Sequence, residues 1–531
     1  MHGPVDRRQF LGYAGAGAGA LILGGIAVDP VAAARRRTRR RGLTVAREGT
    51  FPQGVAAGTP GERGISLWTR MEGQSGDYKL RVEVAKDPKF RKLVVNTTKT
   101  VRARKDHALE TRMAGRFLEP GQEYWYRFET RTGSSPVGRF QTMPAADSRQ
   151  PVKIVFFSCQ DYQAGYYGAH RAIAAEDADL VMCLGDYIYE RNFYDGPRRD
   201  TLGANRDGEV QTLDEYRQKY RMYKADPDLQ AMHAQHSYVG IWDDHEVEDN
   251  YAGSNPGAAT KDVRVPFQQR QRNGYRAFYE YMPFEPLFGK PDVGSDLYRR
   301  MRIGANTELF LLDTRQFRGD QPCDDQFFVP CPSAESDPRG FLGDRQKAWL
   351  KQHLRSSGAT WKLIGNQVMI MGLDTAPQAQ INKDSWDGYG VERRELLNFV
   401  KDNGIADVSF LTGDIHTFFA GDVGVNGRGP GSVATEFVGG SITSLGIPET
   451  VAGTTGVPLT PEQTALLTNL RTLNPHLKYE QQTARGYGVA EVSRDSLNVT
   501  FKAVDALKQR APARTIGRFQ VSRGTQRVDV L

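Results

Sequence analysis

Cysteine is scarce: the 531 residues carry four. A chain of this length does not need disulfide staples, because a core of its size removes most of its apolar surface from water. Long apolar runs are scarcer. Past residue 34 no stretch is long and apolar enough to span a bilayer. There is no internal repeat at solenoid period, which excludes stacked-repeat architectures. Excess charge of one sign is nearly absent too. The formal balance is +7, with 70 Lys and Arg against 63 Asp and Glu. Arg35, Arg36, Arg37, Arg39, Arg40 and Arg41 hold six of those charges, while Arg7 and Arg8 offset Asp6 and Asp29. Without the run the balance is +1, so the chain has a basic tail and no basic face for nucleic acid. What remains, 25% charged and 39% hydrophobic, is ordinary globular composition. Length suggests about three domains, though a large α/β unit counts as one.

The first residues read as an address. Asp6-Arg7-Arg8-Gln9-Phe10-Leu11 precedes a short Gly/Ala-rich stretch to Val28, and Ala32-Ala33-Ala34 offers small residues to a signal peptidase. The paired arginines resemble a twin-arginine export signal over residues 1–34. The alternative is a membrane anchor or an uncleaved amphipathic helix, and a stretch this short and rich in glycine favours export. That export machinery carries folded proteins, which suits a chain that takes up its cofactor in the cytoplasm. The expected destination is secreted, periplasmic or wall-associated, with a mature chain starting near Arg35. There the arginine run could face an anionic wall polymer or lipid. Cys323 and Cys331 flank a segment of turn formers and could close a small loop in an oxidising compartment. Cys183, inside Leu180-Val-Met-Cys-Leu, reads as core.

Residues 45–145 alternate apolar with polar residues in short runs. Ile65-Ser-Leu-Trp-Thr-Arg, Lys79-Leu-Arg-Val-Glu-Val and Tyr124-Trp-Tyr-Arg-Phe-Glu-Thr each have the period of a half-buried antiparallel strand. They predict a small β-sandwich of immunoglobulin or fibronectin type, with a linker at Pro144-Ala-Ala-Asp. From Val152 the runs become compact and apolar: Val152–Phe157, Leu180–Leu184, Ser237–Trp242, Glu308–Asp313, Lys362–Gly365 and Val408–Thr412. Helical patterns lie between them, at Gly343–Ser356 and Val391–Asn403. Strands alternating with helices predict an α/β domain with buried sheets over residues 150–531. Tyr487–Ser493 and Ser496–Val504 read as a closing hairpin, and residues 426–465, rich in Gly, Thr and Pro, as loop.

The chemistry sits at the strand ends. Val155-Phe-Phe runs into Ser158-Cys159-Gln160, and Met182-Cys-Leu into Gly185-Asp186-Tyr187-Ile188-Tyr189-Glu190. Gly240-Ile-Trp runs into Asp243-Asp244-His245-Glu246, Lys362-Leu-Ile-Gly into Asn366-Gln367, and Ser409-Phe-Leu-Thr into Gly413-Asp414-Ile415-His416. Ligands bind outside the carboxyl ends of strands in open α/β sheets, so these ends predict one polyvalent cluster. Singly each is weak, since a strand-end Asp commonly caps a turn. A thiolate from Cys159 and a phenolate from Tyr189 are strongly donating anions that suit ferric iron better than zinc. Asp186 is placed to bridge two metals. Asp244, Asn366, Asp414 and His416 offer mostly oxygen, which suits calcium.

In this order the motifs resemble the calcineurin-like metallophosphoesterase superfamily. Three departures are consistent with one another: Cys159 for the first Asp, Asp244 for Asn, and Asp414 for the first His of the last motif. That set resembles the PhoD-type alkaline phosphatase and phospholipase D family. Leu312-Asp-Thr-Arg-Gln-Phe-Arg, Leu342-Gly-Asp-Arg-Gln, Gly365-Asn-Gln and Trp386-Asp-Gly-Tyr match it too, as do the export signal and the preceding β domain. The resemblance covers essentially the whole chain. It implies an α/β (α+β), four-layer metallophosphoesterase-type β-sandwich core flanked by helices, preceded by the small all-β domain. It implies ferric iron plus calcium, and hydrolysis of a small-molecule phosphoester by attack of a metal-bound hydroxide or bridging oxide. His245 would assist the leaving group or stabilise the transition state, Glu246 would orient His245, and Arg315 would either clamp a phosphate oxygen or sit in an ordinary surface or core salt bridge.

Two other activities compete. One is a phosphodiesterase or phospholipase D acting on phospholipid head groups, decided by loops 191–235, 250–300 and 426–485. Tyr and Phe residues in 275–288 would either line an apolar entrance for lipid or sit in the core. The other is an exported, non-catalytic calcium-binding protein, against which the thiolate and phenolate argue. A monomer is expected.

Overall fold

The computed structural model describes residues 42–193, 199, 209–257, 260, 262–284, 294–326, 329–376, 379–449 and 470–531. The export signal and the arginine run lie outside them. The chain starts with seven strands: β1 (Val55–Gly61), β2 (Gly64–Arg70), β3 (Tyr78–Ala85), β4 (Leu93–Val101), β5 (Ala108–Ala114), β6 (Glu123–Glu129) and β7 (Gly138–Gln141). The order β4-β3-β6-β7 forms one sheet, and β1-β2-β5 lies opposite it across a shared core that includes Leu67, Val82, Tyr126 and Phe140. The strand β6 alternates buried and part-exposed residues as its pattern predicts. The strand β2 does not: every residue in it is buried. Leu67 faces the sandwich core, and Trp68, one residue on and so on the opposite face, enters the main core. There its indole Nε1–H donates to the Glu280 carbonyl at 2.9 Å.

The next strands and helices are β8 (Val152–Phe157), α1 (Gly168–Ala174), β9 (Leu180–Cys183), α2 (Leu213–Lys224), α3 (Pro227–Gln235), β10 (Ser237–Gly240) and α4 (Phe267–Tyr281). A capping box of Thr212 and Glu215 starts α2, and Asp226 with Pro227 starts α3. Then come β11 (Arg299–Ile303), β12 (Thr307–Leu311), α5 (Pro332–Ser336), α6 (Asp344–Ser356), β13 (Trp361–Asn366), a hairpin of β14 (Asp374–Ala376) and β15 (Ala379–Gln380), and α7 (Gly390–Asp402). The chain ends with β16 (Val408–Thr412), β17 (Phe418–Gly424), β18 (Ser432–Gly439), β19 (Leu477–Gln481), β20 (Arg485–Val492), β21 (Ser496–Val504), β22 (Arg514–Ser522) and β23 (Asp529–Val530).

Among the described residues, ten strands form one sheet in the order β23-β22-β21-β20-β8-β9-β10-β1-β2-β5, and seven form a second in the order β11-β12-β13-β16-β18-β17-β19. Leu311, Leu363, Leu411 and Phe437 of the second sheet share a core with Val155, Val181 and Phe501 of the first. The outer face of the second sheet packs Phe310, Ile364 and Phe410 against Leu350 and Leu354 of α6 and Leu396 and Leu397 of α7. Tyr216 and Tyr220 of α2 and Tyr275 and Phe278 of α4 cover the first sheet. The result is the expected four layers: helices, sheet, sheet, helices.

In the first sheet β8, β9, β10 and β1 are parallel. In the second, β12, β13, β16 and β18 are parallel. The hairpin β20–β21 joins the first sheet through antiparallel pairing of β20 with β8. The ten-stranded sheet crosses the sequence boundary near residue 150, because β1 pairs with β10 (Ala57 with Ser237).

One expectation is corrected and one open alternative resolves. Residues 426–465 are not all loop. Ser432–Gly439 is β18, a central strand, whose apolar run Val433-Ala-Thr-Glu-Phe-Val hides among flanking glycines; residues 450–465 lie outside the described set. Of the two readings of the aromatics at 275–288, the core one holds for Tyr275, Phe278, Tyr281 and Phe284, all buried, while Phe288 lies outside the described residues. Cys323 and Cys331 form a disulfide, while Cys159 and Cys183 are free and buried. No helix among the described residues is long and apolar enough to cross a membrane.

Candidate metal centre

The carboxyl ends of β8, β9 and β10 in one sheet and β16 in the other converge. Four residues there adopt left-handed backbone without being glycine: Cys159 (φ 57°), Asp186 (φ 53°), Asp414 (φ 66°) and His416 (φ 54°). That conformation is sparsely populated and is retained where the surroundings over-determine it, typically at functional sites. The glycines before two of the aspartates have steric reasons. A Cβ on Gly185, itself at φ 120°, would fall on the Asp243 side chain, and one on Gly413 would fall on Ser158. Beyond the strands the loops stay zipped: Cys159 N–H donates to Gly185 O at 3.2 Å and Gln160 N–H to Asp186 O at 3.1 Å.

Donor atoms of Cys159, Asp186 and His416 lie within 4.8 Å of one another. The Tyr189 hydroxyl joins them, 3.2 Å from Asp186 Oδ2 and 3.2 Å from His416 Nε2. His416 Nδ1 lies 2.8 Å from the Leu445 carbonyl. A proton held there leaves Nε2 with its lone pair free for a metal. Burial pulls the pKa of His416 down to about 4 and keeps the ring neutral. Burial, then the Asp186 charge, push the Cys159 thiol and the Tyr189 phenol well up, so both need a cation to ionise.

Two further groups overlap the first. Asp186, Asp244 and His245 come within 4.8 Å of one another, as do Asp243, Asp244 and Asp414. Asp186 is common to the first two groups and Asp244 to the last two. Asp186 Oδ1 and Asp243 Oδ2 are buried and accept no hydrogen bond. Unsatisfied buried carboxylate oxygens cost free energy unless a cation or proton meets them. The donor set therefore fits metal: sulfur, phenol and imidazole share one group with Asp186, and carboxylates form another, so His416, expected beside Asp244 and Asp414, stands with Cys159 and Tyr189 instead.

Two predicted roles are corrected, those of Glu246 and Asn366, and Arg315 takes one of its two open readings. Glu246 does not touch the His245 ring. Its carboxylate accepts from the backbone N–H of Asp186 (3.2 Å), Tyr187 (2.6 Å) and Asp243 (2.7 Å), bracing two loops. The partner of His245 is Glu190, whose Oε2 lies 2.8 Å from Nδ1. Glu190 closes the same run that holds Asp186 and Tyr189, and that position was the available signal. Burial lowers the pKa of His245, but Asp244, Asp186 and Glu190 outweigh it and hold the imidazolium well above its usual range. Its ring stacks on Tyr189 at 4.2 Å between centroids.

Of the two readings of Arg315, the structure shows the buried salt bridge rather than the phosphate clamp. Its guanidinium has zero exposure and is committed to Asp243 and, at 2.6 and 2.9 Å, to Asp384, with Asp244 3.4 Å away. It neutralises the carboxylate cluster from behind. Asn366 is no ligand in this geometry. Two residues from Ile364, it falls on the outer face of β13, where its amide donates to Val368 O and its oxygen lies 3.4 Å from Trp386 Nε1. Asp243, unassigned from sequence, belongs to the cluster.

Comparison with known proteins places this geometry. Residues 154–501 match the family model described as PhoD-like phosphatase, and residues 37–144 match PhoD-like phosphatase, N-terminal domain. Alkaline phosphatase D of Bacillus subtilis (strain 168) is 37% identical over 416 residues, covering 75% of this chain and 70% of the relative. A solved structure of PhoD superposes with a TM-score of 0.80 at 31% identity, covering 91% of this chain and 92% of that one. Purple acid phosphatase PPD1 from yellow lupin (Lupinus luteus) seeds shares the fold, with a TM-score of 0.53 at 11% identity over 89% of this chain and 74% of that one.

Proposed function

Because the chain belongs to the PhoD-like phosphatase family and is a metal-dependent phosphoester hydrolase, we propose that it acts as an alkaline phosphatase, releasing inorganic phosphate from phosphomonoesters. Ferric iron would be held by Cys159, Asp186, Tyr189 and His416, and calcium by Asp186, Asp243, Asp244 and Asp414. The observation that carries this reading is the overlap of three donor groups through Asp186 and Asp244. Sulfur and phenolate favour a trivalent ion, and an all-carboxylate group favours calcium.

When bound, the metals would supply Lewis acidity to the phosphoryl oxygens and acidify an attacking water. The chain's own residues do the rest. Asp186 fixes the spacing of the two sites. Glu246 braces the loops that carry Asp186 and Asp243. Glu190 engages His245 Nδ1, so a proton on Nε2 is the one available to a phosphoryl or leaving-group oxygen. Arg315 reduces repulsion among the aspartates, so both ligand sets persist in one small volume.

We further propose export by the twin-arginine route to the cell exterior. The Cys323–Cys331 disulfide supports an oxidising destination.

The test is metal content and visible absorption of natively exported protein, with hydrolysis of a chromogenic monoester and diester with and without calcium. About one iron per chain, a charge-transfer band and calcium-dependent monoester turnover are expected. Diester turnover well above monoester turnover would move the assignment to phosphodiesterase or phospholipase D. Iron-free, inert protein would refute both.

A further inference from the structure

The segment after β18 does more than close the second sheet. Ile442 N–H donates to Ser158 O at 3.1 Å, the N–H groups of Thr443 and Ser444 both reach Cys159 O at 3.4 Å, and Thr443 Oγ1 donates to Asp161 O at 2.6 Å. Residues 441–444 are thus stapled to residues 158–161, and Ser441, Thr443 and Ser444 have no exposure. This sets one side-chain atom against the ligand cluster. Ser444 Oγ lies 2.7 Å from the Tyr189 hydroxyl oxygen and 3.0 Å from Cys159 O.

A serine hydroxyl has one proton and two acceptors here. With Tyr189 protonated, its own O–H serves Asp186 Oδ2 or another neighbour, and Ser444 is free to donate to Cys159 O. Once Tyr189 has given up its proton to act as a ligand, its oxygen can only accept. His416 Nε2 offers no proton, because Nδ1 faces the Leu445 carbonyl. Ser444 then turns to Tyr189, and the two backbone amides keep Cys159 O satisfied.

We infer that Ser444 is a positioning residue that donates a hydrogen bond to the Tyr189 phenolate and thereby tunes the metal it holds. The inference rests on the proposed iron site. A donor on a phenolate stabilises its lone pairs, which raises the energy needed to move an electron from phenolate to ferric ion. Ser444 lies on a loop of the second sheet and Tyr189 on a loop of the first, so this bond also couples the two halves of the sandwich at the metal.

The experiment compares the visible spectra and iron content of the natively loaded wild type with S444A, S444T and Y189F. S444A is expected to keep its iron and shift the charge-transfer band to longer wavelength. S444T, which restores a hydroxyl, is expected to return the band toward the wild-type position. Y189F is expected to lose the phenolate component. An S444A band at the wild-type wavelength, with Y189F abolishing it, overturns the role of Ser444 and leaves the iron reading intact. A wild type without iron or band overturns both. Should S444A fail to fold, S444C, of similar size and a weak donor, makes the same comparison, and an unshifted S444C band overturns the inference.

Discussion

Glu190 Oε2 stands 2.8 Å from His245 Nδ1, and both side chains are buried. This pair fixes which ring nitrogen stays free and holds a proton on the ring. In E190Q the shape is kept and the charge is lost. We expect kcat to fall by roughly 10- to 100-fold, the range for losing such a partner, with little change in KM. The direction on pH follows from Glu190 raising the His245 pKa. Without it the imidazolium deprotonates earlier, so the alkaline limb of the kcat profile moves to lower pH. A pH–kcat profile coincident with the wild type would sink this role.

Arg315 separates a clamp from a counterion. A clamp lost in R315M would raise KM and leave the fold alone. A buried counterion lost would strand Asp243 and Asp384, at a cost of about 3–5 kcal/mol. We expect a large drop in the urea midpoint for R315M, and for R315K a smaller drop, because lysine restores the charge but not the planar fork. A KM effect without a stability effect would restore the clamp.

Lys224 carries a pH dependence away from the metals. Its ammonium is fully buried over Trp68 (4.4 Å to the ring centroid) and 3.2 Å from the Tyr187 hydroxyl. Burial lowers its pKa from 10.5 to about 7. The folded state disfavours the charged form, so between pH 7 and pH 10.5 the unfolded chain binds more protons, and this residue makes stability rise with pH across that window. Below pH 7 its penalty is complete. K224M is therefore expected to stabilise the protein most at pH 6 and progressively less toward pH 10, read as urea midpoints at several pH values. An equal gain at every pH would refute it.

The disulfide reaches the site through one asparagine. Asp325, in the loop closed by Cys323–Cys331, accepts from Asn250 Nδ2 at 2.6 Å, and the Asn250 backbone N–H donates to Asp244 Oδ2 at 2.7 Å. The C323S/C331S double variant should lose about 2–3 kcal/mol by loop-closure entropy. On the proposed calcium assignment it should also need more calcium for half-maximal activity, because Asp244 is held less firmly. A calcium titration unchanged from the wild type would disconnect the loop from the site.

Much of the site was legible because it lies where strand physics puts it. Cys159, Asp186, Asp244, Asp414 and His416 each follow a short apolar run, and runs and polar ends can both be read from one chain. Asn366 failed because a strand end has two faces. Sequence marks the end, but only the register shows that Asn366 shares the helix-covered face with Ile364. Glu246 failed, and Arg315 stayed open between two readings, because partner choice is a tertiary matter: nothing local says that Asp384, 69 residues away, occupies the guanidinium. The strand at 432–439 was hidden by glycines at both ends, and with it Ser444. The layers were legible because buried parallel strands read as continuous apolar runs, whereas the continuity of β1 with β10 depends on pairing that local pattern does not encode.

That continuity has a practical consequence. A fragment starting at residue 150 would contain every ligand named above, yet it would present β10 with a bare row of backbone donors and acceptors where β1 now sits. Trp68 would also leave a gap beside Glu280. Exposed, flat, apolar edges recruit other chains. The leading strands therefore act as a sealing seam for the hydrolase, and dissecting the polypeptide at its apparent linker should yield a sticky, self-associating product rather than a smaller enzyme.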